Sequence, residues 1–319
     1  MIATKALSEV HSNVVDDKIK TYIEPLDMNG LKGRMLHMPA PAGKKRQILL
    51  LYGHHASLER MFGFAEVLNR YGAVTMPDLP GFGGMESFYK INQEANLDAF
   101  ADYLAAYMKL MYKRKRVTIV GMSFSVPIIV RTLQRYPELT RKVDFVVSTV
   151  GFVHKEDFVF KKSSLIGLKT LAWFGSKRLP ALFLKTFVLR SPVIKAAYNL
   201  VIDRHSKLKD ADRAEQKRRI NFEVGLWKSN DVRTRMRTMQ TMFNLDLCDA
   251  QVKVPMYHVA PKQDRYFDNE VVSQHMQIIF SDFASIETTL PAHAPTVVAS
   301  AKDAAPYVPK KLRRILAKP

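Results

Sequence analysis

The sequence predicts an α/β fold in which helices cover both faces of a mostly parallel β-sheet. From about residue 20, apolar stretches of strand length alternate with stretches of helical periodicity. Some of the strand-like stretches, such as 47–53 (QILLLYG), are apolar throughout, which is typical of strands buried on both faces. The alternation stops near residue 153 and returns at 254, and the interval looks helical. These observations together predict a layered core interrupted by a helical insertion.

The elements follow in order along the chain. The first two strands flank a turn at Met28-Asn29-Gly30, and the helix at 93–113 repeats apolar residues at steps of three and four. The predicted strands lie at 21–25, 31–39, 47–53, 73–78, 116–123, 143–152, 254–260 and 284–290. The predicted helices lie at 58–71, 93–113, 124–136, 268–280 and from Pro295 onward. The tail PKKLRRILAKP is expected to be a frayed or surface helix.

The amino-acid composition limits the classes of protein to which the chain can belong. The chain has 319 residues, of which 47% are hydrophobic and 25% charged, as in a packed globular protein. The single cysteine, Cys248, excludes an intramolecular disulfide framework and a cysteine-based zinc cluster. The first residues resemble no signal peptide, and no apolar run has the length of a transmembrane helix. We therefore expect a cytoplasmic protein, with peripheral contact at the inner face of the membrane left open.

The net charge of +19 is the unusual feature of the composition. It favours an anionic partner, such as nucleic acid, an anionic membrane or an acidic substrate, because charge governs association more than fold. A solvated basic surface explains it equally well. Nucleic acid is the weaker alternative, since no known binding motif appears and the basic residues are interleaved with apolar ones.

The strongest local motif is Gly121-Met122-Ser123-Phe124-Ser125, between a predicted strand and a predicted helix. A serine on such a sharp turn is typical of a nucleophile elbow, and its neighbours two residues away must be small. The alternative is a serine in an ordinary loop between a strand and a helix.

Four other segments follow predicted strands and complete this chemistry. The loop at Tyr52-Gly53-His54-His55 could point a backbone N–H at the same cavity as the N–H of Phe124, so that the two form an oxyanion hole. Asp78-Leu79-Pro80-Gly81-Phe82-Gly83-Gly84 suits a tight loop. Asp264 and His293 follow the last two strands. A serine needs a base to become nucleophilic, and the base needs a carboxylate to orient it.

These ordered motifs resemble those of the α/β-hydrolase superfamily, in its branch with a cap domain. The resemblance covers about residues 45–152 and 253–296. It implies an α/β-hydrolase fold with a core at 1–152 and 248–319 and a helical cap at 153–247. It also implies that Ser123 is the nucleophile, His293 the base and Asp264 the orienting acid, and that His54 and Phe124 offer backbone N–H groups.

The sequence departs from the family pattern at two positions and leaves some rival assignments. Tyr52 stands where histidine is common, and Ser125 stands where glycine is usual. Asp268 is a rival for the orienting acid, although we assign Asp264. The histidine pair at 54 and 55 could suggest a metal, but no third ligand pattern is near, so we predict no metal and no cofactor. His258 is expected in the core and His275 on a helix surface.

The insertion at 153–247 carries +11 of the net charge and both tryptophans, Trp173 and Trp227. Apolar residues interrupted by Lys and Arg are dense from 164 to 202. An apolar underside of a cap would suit an acyl chain, and a basic outer face could rest on anionic lipid. We favour the simpler alternative, in which the apolar residues pack on the core and the charges are solvated.

The sequence therefore predicts a serine hydrolase that cleaves a carboxylic ester with a hydrophobic part. Two alternatives stay open. The same triad could cleave an amide or a carbon–carbon bond, because one fold hosts many reactions. The chain could also be a non-catalytic protein that binds membranes or anions. The oligomeric state is not predicted.

Overall fold

The computed structural model describes residues 17–200, 212–262, 264–288, 293 and 300–318. The described residues form one eight-stranded sheet in the order β1-β2-β4-β3-β5-β6-β7-β8. The β1–β2 and β2–β4 pairs are antiparallel, and the pairs from β4 across to β8 are parallel. The strands are β1 (Ile23–Met28), β2 (Leu31–Met38), β3 (Arg46–Leu51), β4 (Gly72–Pro77), β5 (Val117–Met122), β6 (Val143–Thr149), β7 (Met256–Pro261) and β8 (Phe283–Thr288).

Helices follow most of the parallel strands and cover the sheet. They are α1 (Asp17–Lys20), α2 (Leu58–Asn69), α3 (Leu97–Met111), α4 (Ser125–Arg135), α5 (Lys162–Gly175), α6 (Arg178–Phe183), α7 (Ser191–Leu200), α8 (Arg213–Ser229), α9 (Val232–Met242), α10 (Asn269–Ile279), α11 (Ala301–Ala304) and α12 (Lys310–Ala317). Short 3₁₀ turns lie at Phe88–Ile91, Pro137–Lys142, Lys155–Asp157 and Ala305–Tyr307, and a π-helical turn lies at Leu184–Val188. Among the described residues, no helix is both long enough and apolar enough to cross a membrane.

The burial of the central strands explains why their apolar residues do not alternate with polar ones. Every residue of β4 and β5 is buried, because helices cover both faces of these strands. Helix α3 begins where the Asn96 side chain accepts a hydrogen bond from the Ala99 N–H at 2.8 Å, which satisfies one of the free N–H groups of the first turn. The predicted layered α/β core is therefore confirmed.

The end of β6 and the C-terminal part of the chain differ from the prediction. The strand predicted at 143–152 ends at Thr149, because the next residue, Val150, has φ of 47° and leaves the strand conformation. The tail is not frayed: α12 buries Leu312 and Leu316, and the Arg46 Nε donates to the Leu316 carbonyl at 3.1 Å. The predicted helix from Pro295 falls partly at 294–299, outside the described residues, and α11 begins at Ala301.

The segment between β6 and β7 is helical, as predicted, and its helices differ in how they pack. Helix α8 buries six of its residues. By contrast, α5, α6 and α7 together bury only Ala172, Gly175, Ala181 and Ile194. Most large apolar side chains between 161 and 200 are therefore exposed.

Candidate active site

Ser123 lies on the sharp turn between β5 and α4. Its φ is 51°, a left-handed conformation that non-glycine residues adopt at an energetic cost. A Cβ added to Gly121 would lie 2.4 Å from Ile129 Cδ1, so the chain has no room for a side chain two residues before the serine. The predicted turn and the need for a small residue at 121 both agree with the structure.

Ser125 replaces the glycine usual in this motif, and its hydroxyl has a structural use. It is fully buried, accepts a hydrogen bond from the Met122 N–H at 2.8 Å, and lies 3.0 Å from the carbonyl oxygens of Leu51 and Met122. The side chain thus ties the carboxyl end of β3 to the end of β5, just below Ser123.

The structure brings His293 and Asp264 to Ser123. The His293 Nε2 lies 3.2 Å from the Ser123 Oγ, and the His293 Nδ1 lies 2.7 Å from the Asp264 Oδ2. The Asp264 carboxylate is fully buried, and its other oxygen accepts the Tyr266 N–H at 2.8 Å. With Nδ1–H donated to the carboxylate, Nε2 can accept a proton from the serine, which is the arrangement that nucleophilic catalysis needs.

Two aromatic side chains hold the His293 ring in place. The ring centroids of Tyr266 and Phe267 lie 5.0 and 5.2 Å from that of the imidazole. Neither residue was predicted for the site. Their position directly after Asp264, in the sequence DRYFD, was the available signal, since a residue next to a buried acid in a short loop must lie close to the same cavity.

The loop after β3 passes close to Ser123. A Cβ on Gly53 would lie 3.2 Å from both the Ser123 Cβ and the Met122 carbonyl oxygen, so this loop and the turn at 123 are in near contact. The His54 ring stacks edge-on against Phe124 at 5.5 Å. The His54 and Phe124 side chains are thus neighbours on two loops that adjoin Ser123, and their backbone N–H groups stay predicted donors.

The His54 imidazole is a fixed, neutral part of the site. Its Nε2 lies 3.2 Å from the Arg235 carbonyl oxygen and 2.9 Å from the Thr238 Oγ1, so helix α9 anchors it. Burial, with a smaller effect of the nearby Arg235 cation, lowers the pKa of His54 to about 3. It is therefore uncharged at neutral pH. The sequence did not predict this contact, because it joins positions far apart in the chain.

A second buried polar cluster adjoins the loop at His55. The Asn230 amide donates to His55 Nδ1 at 3.0 Å, and His55 Nε2 lies 3.8 Å from the Glu223 carboxylate. Burial lowers the pKa of His55 well below its usual value, so this contact is not an ion pair at neutral pH. Arg235 stacks its guanidinium 3.9 Å above the Trp227 ring. Helices α8 and α9 are thereby fastened to the loop after β3.

A buried ionic network shapes the loop after β4. Asp78 is fully buried and accepts hydrogen bonds from Arg34 Nε, the Gly84 N–H and the Tyr52 hydroxyl at 2.7, 2.7 and 2.9 Å. Arg34 also binds Glu59 through both terminal nitrogens. Tyr52, the residue that replaces the family's usual histidine, therefore fixes this loop through its hydroxyl.

The rival residues have other uses. Asp268 accepts the N–H groups of Glu270 and Val271 and so caps α10, which leaves Asp264 as the acid beside His293. His258 is buried in the core as predicted and bonds to the Ser148 Oγ at 2.9 Å through Nδ1. Burial lowers its pKa to about 4.

Within the described ranges, one group of side chains has the spacing of a metal site. His154, Glu156 and His275 have ligand atoms within 4.8 Å of one another. His154 Nδ1 already accepts the Glu156 N–H, and His275 Nδ1 already lies 2.6 Å from the Asp157 Oδ1, so His275 is not a free surface histidine. Glu156 itself is largely exposed. The Nδ1 atoms of His154 and His275 thus have protein partners, and the absence of a metal stays a prediction.

Comparison with known proteins identifies the fold. No protein-family model matches the sequence, and no curated protein matches it at a significant level. Solved structures do match. A membrane phospholipase A matches with a TM-score of 0.63 at 14% identity, over 100% of this chain and 93% of that chain. A deformylase from Pseudomonas putida S16 matches with a TM-score of 0.59 at 18% identity, over 85% and 94%. An esterase from Thermogutta terrifontis matches with a TM-score of 0.59 at 14% identity, over 93% and 98%.

These three matches cover 85% or more of both chains. At identities of this size they establish the architecture. The chain has the α/β-hydrolase fold.

Proposed function

We propose that the chain is a serine hydrolase that cleaves carboxylic esters with a hydrophobic part. The observation that carries the proposal is the continuous set of contacts from the Asp264 carboxylate through the His293 ring to the Ser123 hydroxyl, at 2.7 and 3.2 Å. The left-handed turn at Ser123, which exposes the Oγ at the end of β5, supports it further. An esterase and a phospholipase among the structural neighbours favour an ester substrate.

The proposed mechanism follows from these contacts. Ser123 Oγ attacks the ester carbonyl carbon while its proton passes to His293 Nε2, and Asp264 stabilises the imidazolium that forms. The backbone N–H groups of His54 and Phe124 donate to the carbonyl oxygen as it gains negative charge. The C–O bond to the alcohol then breaks, and the leaving oxygen takes the proton from Nε2. A water molecule, deprotonated by His293, releases the acid and restores the serine.

The proposed substrate preference rests on the surroundings of the site. His54 is neutral and lies among the rings of Phe82 and Phe124, and Tyr266 and Phe267 flank His293. An apolar wall of this kind favours a hydrophobic acyl or alcohol group over a charged one. The helices between β6 and β7, which we propose as a cap at 153–247, approach the site through the contact of α9 with His54.

The proposal is tested with a fluorophosphonate probe and p-nitrophenyl esters of increasing chain length. The wild-type protein is expected to react with the probe and to prefer medium or long acyl chains. Ser123→Ala is expected to lose labelling, and its kcat is expected to fall by on the order of 10⁴-fold or more. Asp264→Asn is expected to keep the serine but to lower kcat by on the order of 10⁴-fold, since the imidazole loses its orienting acceptor.

Ser273→Ala, a serine on α10 that bonds to its own helix backbone, is the matched control and is expected to behave as wild type. Labelling that persists in Ser123→Ala would show that the nucleophile is another residue. If esters stay intact while amides or diketones are cleaved, and Ser123→Ala abolishes that cleavage, the assignment of the triad stands. The proposed substrate class would then be wrong. No reaction with any substrate or probe would favour a binding protein.

A further inference from the structure

The exposed apolar side chains of this protein are concentrated in one segment. Of the 14 large hydrophobic residues that are exposed in the described part of the chain, 11 lie between positions 166 and 200. Leu179 is 76% exposed, Phe187 is 60% and Trp173 is 57%. The full set is Ile166, Leu171, Trp173, Phe174, Leu179, Leu182, Phe183, Phe187, Val188, Val193 and Leu200. The expectation that these residues pack on the core is therefore wrong: the first half of the insertion packs on α9 instead, where Ala181 clusters with Val232 and Met236.

The same segment is cationic, and it contains no acidic residues that would balance its charge. From 158 to 200 the sequence has eight basic residues and no Asp or Glu. The basic residues are Lys161, Lys162, Lys169, Lys177, Arg178, Lys185, Arg190 and Lys195. In the part of the chain that the structure describes, none of the eight lies within ion-pair distance of a carboxylate, and all but Lys169 are exposed. We call the exposed residues of 161–200 the apolar–basic surface.

A cleft opens at the edge of this surface. It has a volume of about 380 Å³ and is lined by Lys185, Arg190 and Lys228, with the Trp227 ring beside them. Three cations around one cleft suit an anionic headgroup, and the neighbouring leucine and phenylalanine side chains suit the acyl chains next to it.

The positive charge of this surface indicates which kind of partner could cover it. A symmetric dimer would place the same cationic face against itself, so the basic residues of both copies would repel across the interface. Nucleic acid would leave the leucine, valine and phenylalanine side chains without an apolar partner. An anionic lipid surface satisfies both components at once, since the headgroups neutralise the cations and the interfacial region accepts the apolar side chains.

We propose that the apolar–basic surface docks the protein on membranes that contain anionic phospholipid. Helices α5 to α7 lie in the plane of the interface, with Trp173, Leu179 and Phe187 inserted among the acyl chains and the Lys and Arg side chains at the headgroups. The attachment is peripheral. It is independent of the proposed hydrolase activity, so Ser123→Ala is expected to bind the vesicles as tightly as wild type.

The experiment is co-sedimentation of the full chain with vesicles of phosphatidylcholine alone or with 30 mol% phosphatidylglycerol, a proportion of about one lipid in three chosen to give clear negative surface charge. Wild type is expected to bind the anionic vesicles far more tightly. Binding should weaken when NaCl is raised from ~0.1 to ~1 M, because the Debye length falls from ~10 to ~3 Å. Tryptophan fluorescence should shift to shorter wavelength on binding, and Trp173→Phe should reduce that shift to the part contributed by Trp227.

Two double variants separate the components of the surface. Lys177→Gln with Arg178→Gln is expected to lower affinity for the anionic vesicles by ~25-fold, about fivefold for each cation. Leu179→Ser with Phe187→Ser is expected to lower affinity by ~10-fold or more, since both side chains lose their apolar environment. The matched control carries Leu110→Ser, Lys113→Gln and Arg114→Gln on α3 and the following loop, where all three residues are exposed, and should bind as wild type.

Circular dichroism and thermal unfolding confirm that each variant folds. The proposal is overturned if the two vesicle types bind equally, or if the double variants bind as tightly as the control. It is also overturned if vesicles do not bind and sedimentation instead shows a dimer that the Leu179→Ser/Phe187→Ser variant dissociates, since the surface would then cover a second copy.

Discussion

Ser123 occupies a backbone conformation that its side chain disfavours. Its φ of 51° lies in the left-handed region, where the Cβ of an ordinary residue crowds its own carbonyl oxygen. The turn is held on both sides: the Ser123 N–H donates to the Thr149 carbonyl at 3.0 Å, and Gly53 passes close to the Ser123 Cβ. The residue thus stores conformational energy where the proposed chemistry needs an exposed hydroxyl.

Two inactive substitutions at this position should differ in stability. We expect Ser123→Gly to be more stable than Ser123→Ala by about 1 kcal/mol, because glycine adopts positive φ without the Cβ clash. Urea unfolding of both variants measures the difference in the free energy of unfolding. Equal stabilities would mean that the turn does not strain the backbone.

At the scale of elements, the site depends on loops that follow the parallel strands β3, β4, β5, β7 and β8. The loop after β4 is shaped by Arg34, which reaches from β2 to bind Asp78 and Glu59 together. Gly83, with φ of 57°, returns the loop so close to Asp78 that a Cβ would lie 2.1 Å from the Oδ1 atom. Burial raises the pKa of Asp78, and the Arg34 cation opposes that rise because it favours the charged carboxylate.

Removing that cation should destabilise the protein. We expect Arg34→Met to lower the free energy of unfolding by about 3–5 kcal/mol, because two buried carboxylates lose their common partner. Lys109→Met breaks an exposed pair with Glu138 and should cost less than about 1 kcal/mol. Denaturant unfolding compares the two variants, and costs of similar size would refute a structural role for the buried network.

At the scale of the whole molecule, burial of neutral histidines makes the fold sensitive to acid. Burial lowers the pKa of His54 to about 3 and of His258 to about 4, and it lowers that of His55 well below the usual value. In the unfolded chain each would titrate near 6.5. Between these values the unfolded state binds protons that the folded state excludes, so stability present above about pH 6.5 is lost as the pH falls.

We therefore expect the free energy of unfolding to decrease below pH 6.5, with a slope that approaches about 4 kcal/mol per pH unit as all three histidines contribute. Urea unfolding at pH 7.5, 6 and 5 measures the slope. His258→Asn should reduce it by about 1.4 kcal/mol per pH unit, even if the variant is less stable overall. A slope unchanged by this substitution would contradict the assignment of His258 as an acid-sensitive group.

The sequence by itself determined the layered core, and the resemblance of its motifs to the α/β-hydrolase pattern supplied the roles of the candidate site residues. Apolar runs bounded by glycine, proline and polar residues locate strands, and parallel strands bring their carboxyl ends to one edge, so motifs that follow separate strands must meet there. Ser123, Asp264 and His293 could be assembled on this argument, and the contacts at 3.2 and 2.7 Å agree with it.

Only the tertiary structure decided the rest, because those contacts join positions that no local pattern connects. The anchoring of His54 by Thr238, the sharing of Arg34 between Asp78 and Glu59, and the packing of Tyr266 on His293 all depend on how the elements meet in space. The apolar residues of 161–200 are the clearest case. Their periodicity is the same whether a face is buried or exposed, and only the position of the core relative to α5–α7 leaves that face open.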